Sequence, residues 1–158
     1  MRMQNHVIVS LFAGSLLWLW LRSLPGAAAC FLAGVFVDLD HFFDYFYNNH
    51  RFNLRRFFEV FKRGILKNIF VFLHSWELGA VLIVVLIVAP ETLRPIVIGL
   101  FVGFIIHLAL DNIFNKHSRW AYFLAYRWWN GFDGRCYYGR REYRQRLKYV
   151  RRARRSSK

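Results

Sequence analysis

The stretch Ala80–Ala89, Ala-Val-Leu-Ile-Val-Val-Leu-Ile-Val-Ala, has no polar side chain at any position. A helix that is apolar on every side belongs in a buried core or in lipid. The whole chain has 158 residues, of which 56% are hydrophobic and 20% aromatic. This much apolar surface excludes disorder as the overall state. The two cysteines are too few for a small secreted domain held together by disulfides. A membrane protein is therefore expected.

Four segments of the chain are apolar enough to enter a bilayer. They are Val7–Leu21, Gly26–Val37, Ile69–Ala89 and Ile96–Leu110. A full span needs about 20 residues, so the first two must extend into polar residues at one end. Ser23 and Pro25 predict the start of the second helix. Pro90 and Pro95 predict a short connection between the third and the fourth, which would form an antiparallel hairpin.

These segments predict an all-α fold, an integral membrane bundle of about four transmembrane helices with a basic, partly helical cytoplasmic tail. We expect residues 1–118 to form the transmembrane domain and residues 119–158 to form an interfacial aromatic and basic tail. A soluble bundle with an unusually apolar core is the alternative for the whole chain. A cleaved secretory signal is the alternative for the first segment, but cleavage at Ala27–Ala29 would remove His6.

Positive charge gives the bundle an orientation. The chain has 23 basic and 9 acidic residues, a net charge of +14. Residues 48–68 contain six Lys or Arg against the single acid Glu59, and eleven more follow from Arg135 onward. By the positive-inside rule, both termini and the long connection lie in the cytoplasm. A multi-pass protein of the inner cell membrane is expected.

The basic tail could bind nucleic acid or anionic lipid. Its tyrosines interleave with arginines, a composition that suits non-specific contact with phosphates. The segments Trp120–Phe123 and Trp128–Trp129, however, are typical of an aromatic belt at a membrane interface. We therefore expect the basic connection and the tail to contact membrane lipids through anionic headgroups, and we disfavour nucleic acid.

Many of the ionisable side chains lie in or beside the apolar segments, where burying a charge costs free energy. Five of the nine acids and four of the six histidines lie in or against the apolar segments. They are Asp38, Asp40, Asp44, Glu77 and Asp111, with His6, His41, His74 and His107. A helix rises about 1.5 Å per residue. Measured from the outer end of its helix, each of several of these groups lies about 18–25 Å away, so that together they form one layer near the cytoplasmic face. Groups buried at this depth are functional candidates by default.

The spacing of these groups is typical of metal ligands in a helical bundle. His107 and Asp111 are four residues apart, and His74 and Glu77 are three apart, so each pair would share a helix face. Mixed imidazole and carboxylate ligands suit Zn, Mn or Fe better than Ca or Mg. Interhelical hydrogen bonding without a metal and a proton or cation pathway are the alternatives.

Three motifs resemble those of a known family, the membrane-bound metal-dependent hydrolases of bacteria and archaea. The motifs are Asp38-Leu39-Asp40-His41, His74-Ser75, and His107 followed four residues later by Asp111, with His6 near the start. Where the family has Pro and His-Arg-Gly, this chain has Val37 and Ile69-Phe70-Val71. It therefore resembles a divergent branch marked by His-Ser-Trp-Glu, in which Glu77, rather than Asp44 or His50, is expected to replace the missing ligand.

The resemblance implies hydrolysis at a divalent metal ion, most simply zinc, of a phosphoester or a lipid-linked anionic substrate. The expected metal ligands are His6, Asp40, His41, His74, His107 and Asp111. The expected general bases or orienting groups are Asp38, Asp44 and Glu77. A non-catalytic membrane scaffold is the alternative function. A small cation or proton transporter is disfavoured because no internal repeat or broken span is evident.

Overall fold

The regular elements of the chain are helical throughout the part described by the computed structural model, which covers residues 3–49, 53–63, 66–115 and 117–156. In chain order they are α1 (Met3–Leu21), α2 (Leu24–Phe36), α3 (Asp40–Asn49), α4 (Leu54–Arg63), α5 (Trp76–Val88), α6 (Arg94–Phe114), α7 (Leu124–Trp129), α8 (Gly134–Tyr137) and α9 (Arg140–Ser156). A 3-10 turn, Val37–Leu39, follows α2. The all-α prediction is confirmed.

Within the described part of the chain, three helical stretches are long and apolar enough to cross a membrane. They are Gln4–Leu21, Leu24–Asn49 and Arg94–Phe114. Large apolar side chains are exposed along α1, among them Ile8, Phe12 and Leu16, as expected of a helix that contacts lipid. The chain is therefore a membrane protein by the length and composition of its helices. The second stretch includes polar residues of α3 at one end, as the short apolar run predicted.

The third predicted segment, Ile69–Ala89, is only partly helical, and this prediction needs correction. Helix α5 has 13 residues, about 20 Å of helix, against a hydrocarbon core of about 30 Å. The helix begins at Trp76 because Ser75 is extended and its hydroxyl accepts the N–H of Leu78 at 3.3 Å. The preceding residues are irregular.

The predicted helix boundaries at the prolines are confirmed. Ser23 caps α2, and its hydroxyl accepts the N–H of Gly26 at 3.2 Å, while Pro25 occupies the first turn. Helix α5 ends before Ala89-Pro90, and Pro95 lies in the first turn of α6. Helices α5 and α6 pack against each other, and residues 89–93 join them.

The chain divides into two compact units. The first contains Met1–Leu39 and Leu73–Asn115, and the second contains Asp40–Phe72 and Lys116–Lys158. The first unit therefore consists of α1, α2, α5 and α6 with the 3-10 turn, and the second of α3, α4 and α7 to α9.

In the first unit, α2 and α6 are in direct backbone contact. A Cβ added at Gly99 would overlap the carbonyl oxygen of Gly26, and one added at Gly103 would overlap that of Cys30. A Cβ at Gly34 would likewise overlap the hydroxyl of Ser10 on α1. Only glycine permits this approach, as in small-residue interfaces between membrane helices.

The second unit has its own small core. Leu66, Ile69, Val71 and Tyr138 are buried together, with Val60, Tyr137 and Tyr143 packed against them. Val71 has a φ of +34°, which is strained for a β-branched residue. Asp44 accepts its N–H at 3.4 Å, and Arg127 donates to its carbonyl at 3.1 Å. These two buried side chains stabilise the irregular backbone where the sequence predicted a helix.

Candidate metal centre

Helix α6 carries the first half of the candidate site. Its row of residues at four-residue spacing runs Gly99, Gly103, His107, Asp111, and all four are buried. The two glycines bring the backbone of α6 against α2, so the next residues of the same row face the end of α2. There the side chain of His107 reaches the carbonyl oxygen of Gly34, with Nδ1 at 2.8 Å from it.

That contact fixes the tautomer of His107. A carbonyl oxygen can only accept, so Nδ1 carries the proton and donates it to Gly34. In the neutral ring, Nε2 is therefore unprotonated and presents its lone pair to the centre of the site. Histidines that bind metals are held in this way, by a hydrogen bond from the second ring nitrogen.

Four side chains of the first unit bring one ligand atom each to a common point. They are Asp38 in the 3-10 turn, His74 just before α5, and His107 and Asp111 on α6. Three of the four residues are buried, and the side chain of Asp38 is 22% exposed. The group could hold a metal ion.

The distances among these atoms test the fit. His74 Nε2 lies 3.2 Å from His107 Nε2 and 3.4 Å from Asp38 Oδ1, and His107 Nε2 lies 3.5 Å from the same oxygen. Asp111 Oδ2 lies 3.5 Å from His74 Nε2 and 3.8 Å from His107 Nε2. Ligands at about 2.0–2.1 Å from a zinc ion are about 3.3–3.4 Å apart at the corners of a tetrahedron. The five distances, 3.2–3.8 Å, are close to this spacing.

His6 adjoins this group from α1. Its Nε2 lies 3.0 Å from Asp111 Oδ1, whereas the other oxygen of that carboxylate, Oδ2, is the one near His74 and His107. The ring of His6 stacks on that of His107, with 4.1 Å between the ring centroids. His6 Nδ1 is buried and has no hydrogen-bond partner in the described part of the chain. His6 thus orients the Asp111 carboxylate, while its predicted role as a direct ligand stays a prediction.

Glu77 does not share a helix face with His74, and that prediction is wrong. His74 precedes Ser75, whose φ of −138° and ψ of 136° are extended, so the helix has not yet begun. Glu77 lies in the first turn of α5 and is partly exposed, outside the four-residue group.

The remaining predicted residues belong to the second unit. Asp40 begins α3, with Oδ1 at 3.8 Å from His41 Nδ1. Asp44, one turn later, is fully buried, and its Oδ1 accepts the N–H of Phe70 at 2.9 Å and that of Val71 at 3.4 Å. Asp44 therefore has a structural role in this unit, and its predicted catalytic role stays a prediction. His50 lies outside the described residues.

Two structurally important residues, one at the candidate site and one in the second unit, could not be identified from the motifs. Gly34 holds His107 through its carbonyl, and the signal for it was the row of small residues Gly26, Cys30 and Gly34 at four-residue spacing. Arg127 is buried and donates to Ala121 at 3.0 Å as well as to Val71. In the sequence it resembles any other basic residue of the tail, and nothing in its neighbourhood distinguishes it.

Comparison with protein-family models, with curated proteins and with solved structures finds no match to this chain. The resemblance to the membrane-bound metal-dependent hydrolases therefore stays a prediction that rests on the motifs alone. The function of the chain is inferred from its own residues and their geometry.

Proposed function

We propose that the chain is a membrane-embedded, metal-dependent hydrolase that acts on a phosphoester or a lipid-linked anionic substrate. The observation that carries the proposal is the convergence of Asp38, His74, His107 and Asp111 at the spacing of a four-coordinate cation. Zinc fits two imidazole nitrogens and two carboxylate oxygens, and Mn or Fe would accept the same ligands. When bound, such an ion would need a further position for water on the exposed side of Asp38, where it would acidify that water and polarise the bond to be cleaved.

The side chains around the ion would have separate roles. Gly34 keeps the Nε2 lone pair of His107 available, and His6 holds the Asp111 carboxylate in orientation. Asp38 is the most exposed of the four ligands, so substrate and water would approach from its side. A carboxylate at the open side can also accept a proton from an attacking water, which is the role that the sequence predicted for Asp38.

The proposed location is the cytoplasmic end of the bundle in the inner cell membrane. His6 lies near the start of α1 and contacts Asp111 near the end of α6, so the beginning of one helix and the end of another meet at the site. The segment after α6 leads into the basic tail, which carries much of the positive charge of the chain. By the positive-inside rule that end is cytoplasmic, and the same charges would attract an anionic substrate.

Metal content is the first test. The protein purified in detergent should contain about one zinc, manganese or iron per chain by elemental analysis, and His107→Ala should contain almost none. The matched control is His117→Ala, which removes a histidine of the second unit. Equal metal in all three proteins, or none in any of them, would refute the site.

Catalysis is the second test. Wild-type protein in detergent should release inorganic phosphate from short-chain phosphatidic acid when the metal is present, and Asp38→Asn should not. Bound metal without hydrolysis of any phosphoester would favour the scaffold with a relic site. Cation flux across proteoliposomes without hydrolysis would favour the transporter.

A further inference from the structure

The second unit contains a cleft that the proposed hydrolase does not use. Its volume is about 620 Å³, within the range of about 300–1,000 Å³ that is usual for ligand pockets. One side is formed by residues 66–68, another by residues 130–135, and the third by one face of α9.

Two sides of the cleft are joined to each other by backbone hydrogen bonds. The N–H of Ile69 donates to Phe132 at 2.9 Å, and the N–H of Gly134 donates to Lys67 at 2.8 Å. A Cβ at Gly134 would overlap the carbonyl oxygen of Leu66, so the two segments are in backbone contact. These two sides are therefore held together by their backbones, independently of any single side chain.

The wall from α9 is held in place as well. Tyr143 packs against the small core of the second unit, and the guanidinium of Arg146 lies 4.7 Å above the ring of Tyr138. Arg146 also pairs with Glu142 at 2.8 Å. This face of α9 presents Leu147 and Val150 to the cleft beside Arg151, so the wall is partly apolar.

The charges in the cleft favour an anion. Lys67, Arg135 and Arg151 line it, and Asp133 is the single acid among its lining residues. The N–H and guanidinium of Arg135 hold the pKa of Asp133 below its usual range, and the two side chains pair at 2.9 Å. Lys67 and Arg151 form no ion pair within 4 Å among the described residues. Two cations without an ion pair within 4 Å among the described residues thus line the cleft, together with Leu147 and Val150.

We infer that this cleft binds the phosphate group of an anionic ligand, with Lys67 and Arg151 as its cationic contacts. Arg and Lys are common partners of phosphate in proteins, and hydrogen bonds to charged groups are the strong ones. The half-buried amide of Asn68 lies on the same wall as Lys67 and can donate to a phosphate oxygen. The apolar face of Leu147 and Val150 would contact a chain attached to that phosphate.

The ligand can be the headgroup of an anionic phospholipid or a free phosphate, and binding to the purified full-length protein separates the two. The probes are dihexanoyl phosphatidylglycerol, dihexanoyl phosphatidylcholine and inorganic phosphate, each below micelle-forming concentration. If the ligand is a lipid headgroup, phosphatidylglycerol should bind and inorganic phosphate should displace little of it. If the ligand is free phosphate, inorganic phosphate should displace all of the bound phosphatidylglycerol. Binding of none of the probes, or equal binding of the two lipids, would overturn the inference.

A matched pair of variants distinguishes the cleft from the general positive charge of α9. Lys67→Gln with Arg151→Gln should weaken binding by about tenfold or more. Arg144→Gln with Lys148→Gln removes the same charge from exposed positions of α9 that do not line the cleft, and should change binding by less than about twofold. Equal losses in the two double variants would overturn the inference.

A third variant tests the sign of the effect. Asp133→Asn removes the one acid among the lining residues and frees Arg135, while an asparagine can still cap α8 as Asp133 does. Binding of the anionic probe should become tighter. Weaker binding by a variant that keeps its fold, as judged by its melting temperature, would contradict an anion site here.

Discussion

Substitution of Gly103 by alanine tests whether the glycine row of α6 positions the candidate metal ligands. The added Cβ would overlap the carbonyl oxygen of Cys30, and this oxygen belongs to the backbone of α2, so it cannot move aside alone. The two helices must separate by about 1 Å to restore an ordinary contact. The bond of 2.8 Å from His107 Nδ1 to Gly34 would then exceed the limit of a hydrogen bond, about 3.5 Å.

Two effects of this substitution are expected. Overpacking should destabilise the protein by about 1–3 kcal/mol, partly offset by the better helix propensity of alanine. The loss of the bond that orients His107 should lower metal affinity by about 10–100-fold, the usual effect of losing such a partner. Thermal unfolding in detergent measures the first effect, and competition with a chelator of known affinity measures the second.

Gly79→Ala is the matched control for this substitution. Gly79 is also a buried helical glycine of the first unit, but its added Cβ would lie 3.4 Å from the side chains of Phe104 and Ile105, which is an ordinary contact. This variant should be as stable as the wild type or slightly more stable, with unchanged metal affinity. If Gly103→Ala behaves like Gly79→Ala, the backbone contact does not position the site, and the reasoning fails.

Three further results are expected. His6→Ala should retain the fold but bind metal about 10–100-fold more weakly, since Asp111 loses its partner at 3.0 Å; unchanged affinity in a chelator titration would contradict this. Arg127→Met should destabilise the protein by about 2–5 kcal/mol in thermal unfolding, because two buried carbonyls lose their donor; a melting temperature equal to that of the wild type would show that those carbonyls find other partners. Chelation should lower the melting temperature of the wild type but not that of His107→Ala, and a drop in both would place the stabilising metal elsewhere.

The site was predictable from the sequence where one helix carries its residues in a row. The spacing of His107 and Asp111, and their distance from Pro95, indicated side chains on one face near the end of the helix, and both lie there. Ser23 and Pro25 similarly located the start of α2. Such features depend on the geometry of a single helix, which is known in advance.

Features that depend on distant side chains could not be predicted. Residues 69–73 are as apolar as a transmembrane helix, but Asp44 and Arg127 bind the backbone of Phe70 and Val71, and Arg127 lies more than fifty positions away in sequence. The helix therefore starts later, and His74 reaches the site from a turn. The residues near Val71 in sequence give no sign of a hydrogen-bond partner as distant as Arg127, so the helical prediction for this segment was wrong.

The row Gly99, Gly103, His107, Asp111 has a consequence for how this helix can change during evolution. The two glycines that contact α2 and the two candidate ligands lie on the same face of α6, because successive residues of this row are four positions apart. Inserting or deleting one residue between Gly103 and His107 would rotate the later pair by about 100° away from the α2 contact. Side chains on the exposed parts of this helix can be substituted without disturbing that contact, but the length between the second glycine and the histidine is fixed by the packing of α6 on α2.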